Sequence, residues 1–110
     1  MTPNERTVRQ RIAEVAATMI SGQMDLLAGC RAIVQLRWSL TEPDSLDPDL
    51  LYLLSVEDEL EDVPLGDVRQ RWSPEALASK DQKKSDYLDR AREEILRSCH
   101  ALNIKWGPSA

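Results

Sequence analysis

The sequence lacks the features that mark a secreted, membrane-spanning or metal-stapled protein. Met1 to Gln10 is polar and has no apolar run of the kind a secretory signal carries. No later segment approaches the about 18 consecutive apolar residues of a membrane span. The expectation is a cytoplasmic protein with no membrane partner. Cysteine is scarce: Cys30 and Cys99 have neither Cys-x-x-Cys spacing nor a histidine pattern suited to zinc, although His100 follows Cys99. They read as buried free thiols. Adjacent residues on a helix point about 100° apart, so Cys99 and His100 make a poor nucleophile and base. Aromatics are 5% of the chain and are not interleaved with its basic residues, which argues against nucleic-acid binding. No segment alternates with the period of a strand, and no motif calls for a cofactor.

What is present is helical periodicity over a length suited to one domain. The 110 residues suffice for a single core without obligatory staples. Thr2-Pro3-Asn4-Glu5 has the form of a capping box, and Val8, Ile12, Val15, Met19 and Ile20 follow on one stripe. Gly22 interrupts before a second pattern through Leu26, Leu27, Cys30, Ile33, Val34 and Leu36; a hairpin, a kink and one bent helix all fit this join, and two helices are the reading adopted. Asp47 and Pro48 open a third helix that carries Leu50, Leu51, Leu53 and Leu54 toward the core. Pro64 and Gly66 end regular structure, and Ser73-Pro74-Glu75 restarts a short helix. Leu88, Ala91, Ile95, Cys99 and Leu102 then define the last helix. The expected fold is all-α: a single-domain bundle of four main helices over residues 1–110, with a short extra helix after a Pro-Leu-Gly turn and residues 107–110 as a tail. Met19, Met24, Trp38 and Trp106, apolar residues in helical patterns, read as core. Gly22 and Gly29 would let another helix approach closely, either as an internal seam or in a homodimer.

Charge is the least uniform property of the chain. From Trp38 to Val68 there are ten acids and no lysine or arginine, whereas the other nine acids stand against all fourteen bases. The net charge of −5 therefore conceals a segment of −10 joined to a remainder of +5. Asp47 and Asp49 suit a helix amino terminus. Glu57, Asp58, Glu59, Glu61 and Asp62 sit at or beyond the carboxyl end of the same helix, where each is disfavoured by about 0.3 to 1 kcal/mol. One reading is a solvated loop whose acids meet Arg69, Arg71 or the basic face of the last helix. Another is a surface that steers a basic partner. The third is a divalent-metal site, because Glu57 and Glu61, or Asp58 and Asp62, stand four apart and would share a helical face. That spacing is similar to the acidic helices of all-α nucleotide pyrophosphohydrolases, although the first two helices offer only Glu14 and Asp25.

Gly22, Gly29, Arg31, Ile33, Ser55, Pro64, Leu65, Gly66, Val68, Arg69, Trp72, Pro74, Glu75 and Leu77 carry a wider resemblance. In this pattern the chain resembles a group of short, uncharacterised bacterial helical proteins with a Ser-x-Glu/Asp, Pro-Leu-Gly, Val-Arg, Trp arrangement. The resemblance implies a small helical protein and points to no established activity. In size and charge alone the chain is also similar to toxin-neutralising immunity proteins.

The function expected from these residues is a non-enzymatic interaction module. Glu57, Asp58, Glu59, Glu61 and Asp62 would face a basic protein partner, with Leu65, Arg69 and Trp72 completing the contact. The alternative is a metal-dependent hydrolase acting on nucleotides through the acidic segment.

Overall fold

The computed structural model describes residues 3–108. Four helices form an all-α bundle: α1 (Pro3–Ile20), α2 (Leu26–Arg37), α3 (Pro48–Glu59) and α4 (Pro74–Trp106). Two short 3-10 segments, Asp44–Leu46 and Gly66–Arg71, lie in the connections, and the second follows the Pro-Leu-Gly turn. α1 packs mainly on α4 and α2, and α3 on α2 and α4. At 33 residues α4 is about 50 Å long by helical rise, and it sets the 47 Å long axis of a molecule only 25 by 22 Å across. None of these helices is both long and apolar enough to cross a membrane.

Local chemistry explains most of the boundaries. Gly22, at a φ of +80°, takes the left-handed conformation that ends α1. Asp25 then caps α2 by accepting from the Ala28 N–H, and Asp47 caps α3 by accepting from the Asp49 and Leu50 N–H groups. Ser73 caps α4 through the Ala76 N–H, with Pro74 at the first helical position. No glycine or proline follows until Gly107, so the restart at Ser73 and the last amphipathic pattern are one helix rather than two. Buried Gly107 closes that helix through a hydrogen bond to the Asn103 carbonyl. The Thr2 cap and residues 109–110 of the expected tail lie outside the described residues.

The core contains Ile12 and Met19 from α1, Leu27, Cys30 and Ile33 from α2, and Leu50, Leu53 and Val56 from α3. Leu88, Ile95, Cys99 and Leu102 close it from α4, and Leu60 and Val63 enter from the connection after α3. The four leucines of α3 do not all reach it. Leu50 and Leu53 are buried, whereas Leu51 and Leu54 are half-buried, because one helical face cannot include both adjacent pairs. Trp106 and Met19 are buried and Met24 is half-buried, but Trp38, also read as core, is 74% exposed. A Cβ on Gly29 would stand 2.4 Å from Met19 Cγ and Sδ, so this glycine is the internal seam between α2 and α1. Gly22 lies in the intervening turn and shares no helix with it.

Candidate functional site: the strap after the third helix

The acidic segment ends α3 and continues as a strap, residues 60–73, that crosses the bundle to α4. Negative charge at a helix carboxyl end calls for compensation, and here it comes from a distant arginine. Arg31 of α2 donates from Nη2 to the carbonyls of Leu60 (2.8 Å), Val63 (2.6 Å) and, at 3.4 Å, Glu61. Its Nε lies 3.6 Å from the Glu57 carboxylate. One guanidinium thus gathers three carbonyls of the turn that follows α3 and stands beside the Glu57 carboxylate at the end of that helix. Arg31 is the only base between Arg11 and Arg37, and apolar or small residues surround it from Leu26 to Val34. That isolation is the signal that could have singled it out for a structural partner.

The strap is fastened again at Asp62, which accepts from Lys80 and, at 2.8 Å, from Lys83, both on α4. These hydrogen bonds hold the Asp62 carboxyl far below the usual carboxylate range. A third fastening is Arg69, which pairs with Asp81 of α4 through two 2.8 Å bonds and also donates to the Pro64 carbonyl. The paired hydrogen bonds from Arg69 hold the Asp81 carboxyl below its usual value. Arg69 does not pair with the acidic segment, one of its two expected roles; its guanidinium ties the short helix to α4. Arg71 is exposed, and the basic face of α4 is what meets the segment.

The predicted site residues therefore divide into two groups. Glu57 and Asp62 are held by internal cations, Arg69 is held by Asp81, and Leu65 is half-buried against the core. Trp72 is half-buried and lies outside the core cluster. Asp58, Glu59 and Glu61 are exposed, and their carboxylates have no hydrogen-bond or ion-pair partner among the described residues. Beside the strap lies an open cleft of about 650 Å³ lined by Leu65, Gly66, Arg69, Lys84, Leu88 and Arg92 among others. The Arg69–Asp81 pair belongs to its wall, as does Lys84 with Asp25, the cap of α2, at 2.8 Å. Burial alone would push Asp25 up, but bonds from Lys84 and the Ala28 N–H outweigh it and leave its carboxyl low.

The geometry needed for the metal reading does not form. α3 ends at Glu59, and Leu60 at φ −110° and ψ 18° turns the chain, so Glu61 and Asp62 do not continue the face of Glu57 and Asp58. Glu57 and Asp62 are moreover engaged by bases. Among the described residues no three His, Cys, Asp or Glu side chains converge as a metal site. Cys30 and Cys99 are both free and buried, and burial pushes their thiols up to about 12 and about 11, far from a nucleophile's range. No family model matches the chain, and no curated protein or solved structure is found to match it.

Proposed function

We propose that this protein is an interaction module whose acidic surface, Asp58, Glu59 and Glu61, docks a basic partner. The observation that carries this reading is the unequal use of the acids. Where α3 passes into a strap fastened by Arg31, Lys80, Lys83 and Asp81, three carboxylates in four positions are exposed with no partner among the described residues. They contribute nothing visible to the fold and repel one another, and the fastenings around them hold them in a defined place. A fixed patch of one sign raises encounter rates with an oppositely charged surface and selects against like-charged ones. Neutralisation of a basic toxin is one specific form of this function, consistent with the small size and acidic balance of the chain.

The test is capture of a partner from the native cell, followed by association kinetics over a range of salt. The expected result for Asp58→Asn with Glu59→Gln and Glu61→Gln is slower association and a flatter salt dependence than wild type. An unchanged rate and salt dependence would remove the patch from the mechanism.

A further inference from the structure

The outer face of the α2–α3 pair is as unusual as the strap. Arg31, Val34 and Trp38 succeed one another at intervals of three and four, and the backbone at Trp38 is still helical, so they share one face of α2. That face borders α3, because Arg31 reaches the carboxyl end of α3. Arg37, near the other end, bonds the Ser45 carbonyl just before α3 begins. The two helices are thus antiparallel neighbours, with Trp38 at the amino end of α3. On α3 itself Leu51, Leu54 and Asp58 repeat the same spacing, on the side turned away from Leu50, Leu53, Val56 and Leu60.

This face is apolar where a surface is ordinarily polar. Trp38 is 74% exposed, with the Arg37 guanidinium 5.9 Å from its ring centre, and Leu46 is 49% exposed just before α3. Val34, Leu51 and Leu54 are half-buried and do not belong to the core cluster. α3 is 12 residues long, so the strip runs for about 18 Å and ends at Asp58, with Glu59 and Glu61 next to it in the chain where the helix stops.

We infer that this α2–α3 face seats an amphipathic helix of the partner. Apolar side chains spaced by three and four cover Leu54, Leu51 and Trp38, and lysines or arginines at one end lie over Asp58, Glu59 and Glu61. The inference rests on the acidic docking reading and specifies its partner. Charge complementarity sets the polarity of the ligand, and the helical length and spacing of the strip suit a helix laid along it. The exposed tryptophan is the anchor, the residue type most often found at the energetic centre of an interface.

The probe is a synthetic helical peptide of about 18 residues with leucines at these intervals and lysines at one end. Its controls are the same peptide with glutamates for lysines and one of shuffled order. Binding is followed by anisotropy, and its place by shifts of the Trp38 indole and the Leu51 and Leu54 methyls in wild type. Expected are shifts confined to this face, loss of binding for both controls, and affinity about tenfold or more weaker for Trp38→Ser with Leu51→Ser, whose fold is checked by circular dichroism. Shifts centred on Leu65 and the cleft instead would overturn the inference in wild type, whatever the variants do. Equal binding by the Trp38→Ser and Leu51→Ser variant, with weaker binding by the carboxylate triple variant, would sink the helix seat and leave the acidic docking reading standing. Loss in neither variant would sink both. A wild-type dimer that this apolar variant dissociates would show that a second copy occupies the face, and would also overturn the inference.

Discussion

The two ends of α3 carry charge of the same sign in opposite circumstances. At its start Asp47 caps the helix, Asp49 lies in its first turn, and Lys105 from the last turn of α4 bonds both. Acid at a helix amino end and base at a helix carboxyl end are each favoured by the helix dipole, so every charge in this cluster serves its own helix. At its finish the dipole disfavours Glu57 to Asp62, and compensation comes from Arg31, 26 positions before Glu57, and from Lys80 and Lys83 well beyond it. Charge that suits its helix can be stabilised locally. Charge that opposes its helix is held by other parts of the fold, or remains free for another molecule.

The contrast is broken most severely at Arg31. Arg31→Met keeps much of the stem but leaves the Val63 carbonyl without its side-chain donor, the Leu60 carbonyl with the Val63 N–H alone, and Glu57 without its cation. The expected loss is about 2 to 3 kcal/mol, read as a lower denaturant midpoint. Ile95→Ala sets the scale: a core cavity at a fully buried site is expected to cost about 2 to 5 kcal/mol in the same titration. At the other end, Asp47→Ala removes a cap and a contact to Lys105, with an expected loss of about 1 kcal/mol. If Arg31→Met proved milder than Asp47→Ala, the strap would not depend on its distant clamp.

Acid titration sharpens the comparison. In the folded protein the carboxyls of Asp62 and Asp81 lie below their ordinary value of 3.8 because lysines and an arginine bond their charged forms. A depressed carboxyl contributes stability that is fully present above the ordinary value and is lost as pH falls through the folded one. The strap fastenings are therefore expected to weaken only below about pH 4. Asp62→Asn should flatten the pH dependence of unfolding in that range, and an unchanged slope would count against the Lys80 and Lys83 contacts.

The smallest effect is expected where the acids are free. Converting Asp58 to Asn and Glu59 and Glu61 to Gln should leave the unfolding midpoint unchanged or raise it slightly, since only repulsion and a disfavoured dipole interaction are removed. Glu57→Gln alone should lower it, because that carboxylate faces Arg31. A clear loss of stability in the triple variant would move these residues into the fold and out of the docking surface.

Helical spacing, caps and breakers were sufficient for the number of main helices, the starts at Asp47 and Ser73, and the burial of Ile12, Ile33, Leu50, Leu88, Ile95 and Leu102, whereas at Gly22 they left a hairpin, a kink and a bent helix open. These features follow from interactions within a few residues, which is why a linear sequence displays them. The acidic segment was equally plain as a run of charge, but not which of its acids would be free. That depended on where Arg31, Lys80 and Lys83 came to lie, and those contacts span 18 to 32 positions. The same applies to α3, where helical geometry admits only one leucine of each adjacent pair to the core and the packing of α2 and α4 selected Leu50 and Leu53. Trp38 follows the apolar rhythm of α2 and still emerges into solvent, because rhythm places a side chain on a face of its helix and only the neighbouring helices decide whether that face is covered.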